Sequence, residues 1–219
     1  METIKLVDIK DVELVKEIQY LLGIEVDGIV GPQTLGNFRR FKENNWLNNI
    51  DTIGQASLDL LRKDSRHYDL SIIKEYEGFK SKAYADPLLG WQLPTIGYGT
   101  TVYSDRRRVA RGDTISEKEA YNELIFHVNN RIVPRLSHIP YWREMNVNQK
   151  SALISFAYNL GEGFYGNKGF NTITNALKNK EWSRIPKILE LYRNPGSNVE
   201  LGLLRRRRAE GRLWSTSQS

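Results

Sequence analysis

The sequence predicts an α+β fold in two parts: a small three-helix module, then a larger, mainly helical domain carrying a small β-hairpin sheet. Three observations predict it. Apolar residues recur at helical spacing along most of the chain. One Gly-, Tyr- and Thr-rich stretch, from about residue 82 to 103, reads as β structure with turns. Charge divides unevenly: nine Lys/Arg stand against eleven Asp/Glu over residues 1–66, and 23 against 15 over the rest. A length of 219 residues, 40% of them hydrophobic, has room for a module followed by a domain of about 150 residues. The boundaries are drawn at 1–66 and 67–219.

Composition removes several kinds of chemistry. Cysteine is absent, which excludes disulfides, thiolate metal sites and cysteine nucleophiles. The three histidines are scattered at His67, His127 and His138, so a His-based zinc site is not expected, and neither is any cofactor. The first residues alternate charged and apolar, unlike a signal peptide, and no window approaches the roughly 18 apolar residues of a membrane span. The product is expected to start in the cytoplasm and to reach any target outside by another route. The basic second part suits an anionic partner; nucleic acid, a membrane surface and an anionic cell-wall polymer all qualify.

In the first module, residues 12–22 put Leu14, Ile18, Leu21 and Leu22 on one helical face, and Gly23 suits a helix stop. Asp27-Gly28 is a turn signal, and Gly31-Pro32 places proline where a helix begins. The second helix presents Leu35, Phe38 and Phe41; a third segment contributes Ile53, Leu58 and Leu61. Residues 46–61 echo the pattern weakly, without the glycine after Asp51. This plan, with Val26-Asp27-Gly28-Ile29-Val30-Gly31-Pro32-Gln33-Thr34-Leu35 between two helices, resembles the peptidoglycan-binding module at the ends of many cell-wall hydrolases. Asp27, Gly28, Gly31 and Pro32 themselves read as turn formers. The polar stretch Arg62–His67 reads as a tight connection.

The second part begins with one helix and continues into the β segment, then mostly helices. Ser116-Glu117-Lys118-Glu119 has the capping-box arrangement. Leu153, Phe156, Ala157 and Leu160 form one core stripe, and Ile185, Ile188, Leu189 and Tyr192 another.

Two carboxyls in unlike surroundings are what acid-catalysed cleavage of a glycosidic bond needs. Glu77 follows Ile72-Ile73 by one turn and precedes Gly78-Phe79, so it belongs where a helix ends against the core and suits a general acid. Glu75 points to another side and reads as surface. Asp86, between Ala85 and Pro87, sits in a wetter turn and suits an ionised partner for water. Thr95 opens Thr-Ile-Gly-Tyr-Gly, where its hydroxyl can hold that water and the glycines allow close backbone approach.

Glu77-Gly78-Phe79, Ala83-Tyr84, Asp86 and then Thr95-Ile96-Gly97-Tyr98-Gly99 resemble the active-site hairpin of the phage-type lysozymes, glycoside hydrolase family 24. The resemblance continues through Val147–Gly161, similar to the family's helix beside the cleft, and Gly202–Glu210, similar to its arginine-rich C-terminal helix. It implies a lysozyme-like fold over residues 70 to 214 and hydrolysis of the β-1,4 bond between N-acetylmuramic acid and N-acetylglucosamine. It also implies Glu77 as general acid, Asp86 as second carboxylate and Thr95 as the hydroxyl that positions water. Tyr98 and Asn159 take positions that either touch substrate or serve structure. Trp91 reads equally as a sugar-stacking platform or as packing under the turn.

Two departures stand out. Leu88–Pro94 lengthens the span between Asp86 and Thr95, and the two converge if the extra residues bulge outward. Thr100 stands where many relatives have histidine and is read as structural support. Arg205–Arg208 points four ways on a helix, so solvated or salt-bridged structure is expected ahead of attraction to an anionic wall, and specific nucleic-acid binding is not. The whole reads as an endolysin: a monomer with peptidoglycan as partner, without membrane insertion, released through holes made by a separate holin. The alternatives are a lytic transglycosylase and a non-catalytic wall-binding protein.

Overall fold

Asp11 starts the first helix by accepting the N–H groups of Glu13 and Leu14 at 3.0 and 3.2 Å. Helix α1 (Val12–Leu22) ends at Gly23, whose φ of 65° supplies the left-handed cap. Pro32 opens α2 (Pro32–Asn44), and α3 (Gln55–Asp64) completes the set. Two short strands, β1 (Ile4–Lys5) and β2 (Thr52–Ile53), pair antiparallel beside them. Leu6, Ile18, Phe38, Phe41, Ile53, Leu58 and Leu61 form this unit's core.

The buried face of α1 differs from the apolar stripe expected. Val15, Ile18 and Gln19 are buried, while Leu14, Leu21 and Leu22 pack at the margin. Gln19 turns inward because the Asp27–Thr34 loop gives its amide a full set of partners. Its Nε2 donates to Asp27 Oδ1 (2.6 Å), Ile29 O (2.9 Å) and Thr34 Oγ1 (3.1 Å), and its Oε1 accepts from Gly28 N (2.8 Å). Hydrophobic periodicity cannot register a buried amide whose partners lie in a loop.

The computed structural model describes residues 2–64, 68–86 and 89–216, side chains at 44 and 62–64 excepted. Ser65–His67 of the polar connection and Pro87-Leu88 of the hairpin lie outside the described residues. The chain forms two compact units, Met1–His67 and Tyr68–Ser219.

In the second unit, α4 (Ser71–Glu77) leads into an antiparallel hairpin of β3 (Lys80–Asp86) and β4 (Gly90–Gly97). Beyond β4 the stretch to residue 103 forms isolated bridges, Ile96 with Thr100 and Val102 with Arg108, in place of a further strand. Helix α5 (Glu117–His127) starts at the Ser116 capping box and passes into one π turn, Val128–Ile132, then α6 (Val133–Leu136). Pro134 supplies the reason for the π turn: it has no N–H for the carbonyl four residues back, and the ladder widens to Val133 N–Val128 O.

Helix α7 (Val147–Leu160) is buried from Lys150 through Ala157 without a break, so it is the centre of the unit and not a one-faced helix. Helix α8 (Asn171–Lys178) packs on α9 (Ile185–Leu189), α9 packs on α10 (Glu200–Ser215), and α10 packs along α7. Phe156 meets Phe164, Phe170 and Tyr192 at ring centroid distances of 4.9–6.0 Å, mostly edge to face.

Candidate active site

Glu77 is the last residue of α4. Gly78 follows with φ 68°, and its N–H closes the helix on Lys74 O at 3.1 Å. Ile72 and Ile73 bury the other side of the helix, and Asp69 N–H donates to Ser151 Oγ (2.8 Å), which ties the helix start to α7. Glu75 is exposed; Glu77 is half-buried. Arg206 Nη1 of α10 donates to Glu77 Oε1 at 2.6 Å. That Arg206 side chain is 3% exposed, so the ion pair has one wet end and one dry end.

The hairpin carries the other two candidates. Tyr84 stands across from Thr95, and Asp86 across from Gly90. Two steps along β3 thus match five along β4, so the register shifts between these pairs and β4 bulges between Gly90 and Thr95. Strand alternation sets Tyr84 and Asp86 on one face of β3, with Thr95 opposite Tyr84. Asp86 Oδ1 accepts from Leu89 N at 2.8 Å, and Thr95 is buried with its Oγ1 donating weakly to Leu93 O at 3.3 Å. Burial pushes the Tyr84 hydroxyl up, and the charges of Glu77 and Asp86 both add to the shift. Tyr158 of α7 is raised by burial first and then by Glu77, and its hydroxyl donates to Tyr98 O at 2.7 Å.

Asn159 sits one turn from Ser155 on α7, and its Oδ1 accepts from Arg207 Nη2 at 2.9 Å. Tyr98 lies in the core. Its ring packs 5.8 Å from Phe79, and its hydroxyl donates to Glu117 Oε1 at 2.8 Å at the start of α5. Trp91 is 43% exposed next to Gly90, with the Arg111 guanidinium 4.9 Å from its ring centroid. Thr100 closes the turn after β4 by exchanging both backbone bonds with Ile96 at 2.9 Å.

The arginine run resolves into separate tasks. Arg205 and Arg208 are exposed, Arg208 reaching Glu190 at 3.3 Å, whereas Arg206 and Arg207 are buried. Glu210, wholly buried, joins the latter two: its Oε1 accepts from Ser155 Oγ (2.7 Å), Arg207 Nη2 (3.1 Å) and Arg206 Nε (3.3 Å). Arg206 Nη2 also donates to Ser155 O at 3.2 Å. Burial pulls the Arg207 guanidinium down to about 10 and pushes the Glu210 carboxyl up, each opposed by the other's charge. The sequence reading did not assign Arg206, Arg207, Glu210, Tyr84 or Tyr158 to the site. The signal for the first three was present, since Glu210 follows Arg206 and Arg207 at the four- and three-residue spacings that bring helical side chains together.

Among the described residues no cluster of His, Asp and Glu suits a metal, and no helix is long and apolar enough to cross a membrane. The candidates are thus one carboxyl at a helix end, one on the first strand of the hairpin, and the Thr95 hydroxyl on the second strand.

The chain has relatives among known proteins. The endolysin of Lactococcus phage c2 is 35% identical over 146 residues, which span 67% of this chain and 58% of that protein; the endolysin of Lactococcus phage phivML3 matches with the same figures. A crystal structure of a P22 lysozyme mutant superposes with a TM-score of 0.56 at 28% identity, covering 67% of this chain and 94% of the lysozyme. The muramidase domain of SpmX from Asticaccaulis excentricus shares the fold, with a TM-score of 0.53 at 24% identity over 68% of this chain and 95% of that domain. Residues 74–210, from the helix that ends in Glu77 to the buried Glu210, match the family model for phage lysozyme, and the chain belongs to that family.

Proposed function

We propose that the protein is an endolysin that hydrolyses bacterial peptidoglycan at the β-1,4 bond between N-acetylmuramic acid and N-acetylglucosamine. The observation that carries this reading is Glu77 at the end of α4, held by the buried Arg206 at 2.6 Å, with Asp86 and Thr95 on the hairpin that follows and Thr95 facing Tyr84 across it. Membership of the phage lysozyme family supports the same chemistry.

In this mechanism Glu77 protonates the leaving oxygen. Arg206 occupies Oε1, so the proton is carried on Oε2 and delivered from a carboxyl whose orientation is fixed. Asp86, steadied by the Leu89 N–H, accepts a proton from an attacking water, and Thr95 Oγ1 holds that water at the sugar. A water attacking opposite the leaving group inverts the anomeric carbon and needs about 6.5–9.5 Å between the carboxyls. Asn159, fixed by Arg207, borders the substrate path, and Trp91 offers an aromatic face at the hairpin end. The core position of Tyr98 makes it a support for the turn that carries Gly99. Residues 1–66 hold the enzyme on the wall, and a separate membrane protein gives it access.

Glu77→Gln tests the acid directly. It keeps the shape and the bond from Arg206 but has no proton to give, so release of reducing ends from purified peptidoglycan should fall at least about a hundredfold. Full activity in that variant sinks the assignment. Mass spectrometry of the products separates hydrolysis, which leaves reducing N-acetylmuramic acid, from transglycosylation, which leaves 1,6-anhydro ends. Wall binding without any cleavage by the parent protein decides for a binding protein.

A further inference from the structure

A proton donor bonded to a guanidinium faces a charge problem, because the cation favours the donor's ionised form. Arg206 sets that problem for Glu77 at 2.6 Å. The same guanidinium is engaged from behind by Glu210, through Arg206 Nε to Glu210 Oε1 at 3.3 Å. Burial pushes the Glu210 carboxyl up, and the two guanidiniums in contact with it, Arg206 at 3.3 Å from Oε1 and Arg207 Nε at 3.1 Å from Oε2, oppose burial and favour its ionised form, as does the Ser155 hydroxyl at 2.7 Å. A second guanidinium, Arg207, touches both Glu210 and Asn159. The buried cluster therefore holds two cations, with Glu210 inside it and Glu77 at its wet edge.

We propose that Glu210, which does not reach the substrate, is a positioning residue that shares the charge of Arg206, the guanidinium bonded to Glu77, and thereby sets the alkaline limb of the enzyme's pH profile. The inference rests on Glu77 being the general acid. With Glu210 ionised, protonating Glu77 leaves one net positive charge in the cluster. Without it, the same step leaves two. Low local dielectric and the absence of bulk water make that difference count. The groups facing Glu77 are Arg206 from α10, Tyr158 from α7 and Tyr84 from β3, with Arg207 beyond them. Those facing Glu210 are Arg206, Arg207 and Ser155, with Tyr76 of α4 nearby. The tyrosines are neutral across the working range, so the two arginines, the two glutamates and the more distant Asp86 set the balance, and Asp86 is the same in every variant below.

The test is the pH profile of kcat/KM on purified peptidoglycan for the full chain and two variants whose effects have opposite signs. Glu210→Gln removes the shared negative charge, and its alkaline limb should move down by about one pH unit, with activity above the limb reduced about tenfold and KM little changed. Arg207→Gln removes a cation and should move the limb up, although its loss of the Asn159 contact also raises KM. Glu210→Asp restores the charge and should bring the limb back toward the parent. Ser155→Ala removes a bond to Glu210 but no charge; it should lower the melting temperature without moving the limb.

A uniform drop at all pH values in Glu210→Gln, with the limb in place, overturns the proposal and leaves Glu210 as packing alone. Should that variant not fold, the Arg207→Gln limb decides: an unmoved or downward limb overturns the proposal equally. Carboxyl carbon NMR of Glu77 gives a readout independent of turnover, and its titration midpoint must follow the same signs. Full activity in Glu77→Gln is a different failure. It removes the acid assignment itself, whatever the Glu210 variants do.

Discussion

Glu77 and Arg206 are separated by 129 positions yet meet through a single hydrogen bond. A short, charge-assisted bond fixes direction as well as distance, and direction is what a proton donor needs. Lysine in place of Arg206 would keep the charge but lose the fork that reaches Glu77, Glu210 and Ser155 O together. Gly97 limits the other side of the site. Its φ is 66°, and a Cβ there would lie 2.9 Å from Ala120 Cβ. Gly97→Ala is therefore expected to cost about 2 kcal/mol or more, from left-handed strain and the clash together; denaturant unfolding measures it, and a change below about 0.5 kcal/mol contradicts the argument. Glu77, Asp86 and Thr95 could be singled out in the sequence as candidates because the signals for them lie among near neighbours. Arg206 was not assigned, because periodicity gives a helix its buried face without saying what that face meets.

At the scale of elements, the hairpin stands between two supports. On one side β3 pairs with β4; on the other, Ala83 N–H reaches Asp113 O and Ile115 N–H reaches Ser81 O, both at 2.9 Å. Asp113 holds that second support through Ala110 N–H, Arg107 Nη1 at 2.7 Å and the Tyr103 hydroxyl. The Ala110 N–H first, and then Arg107, hold its carboxyl below the ordinary carboxylate range. Its contribution to stability is therefore complete above the unfolded value of about 3.9 and is lost as pH falls below that toward the folded value. Asp113→Asn should lower the melting temperature at pH 7 and narrow the gap between pH 7 and pH 3; an unchanged gap in thermal scans refutes the clamp. Helix ends were readable at this scale, as the Ser116 capping box and the Gly23 stop illustrate, because their signals are local. The π turn before Pro134 and the burial of α7 on all sides were not. The first is a change of ladder that follows from one missing N–H, and the second depends on how many neighbours surround a helix.

Across the whole molecule, two units with separate cores suit a division between holding and cutting. Residues 68–219 alone should release reducing ends from soluble glycan fragments at a rate within about twofold of the full chain, while sedimenting less with intact wall. Equal sedimentation removes the targeting role from residues 1–66. The uneven charge suits that division, since the cutting unit carries the excess of cations and the first unit is slightly acidic. Part of the excess is inward, however: Arg206 and Arg207 serve the site and are withheld from any anionic surface.

The 129-residue gap between Glu77 and its arginine also has a meaning in time. A ribosome adds roughly 5–20 residues per second, so α10 emerges on the order of ten seconds after the helix that ends in Glu77. Until then Glu77 lacks its bond from Arg206, and the core around α7 lacks the helix that packs along it. The ion pair at Glu77 therefore closes only after helices α4 to α9 have all left the ribosome.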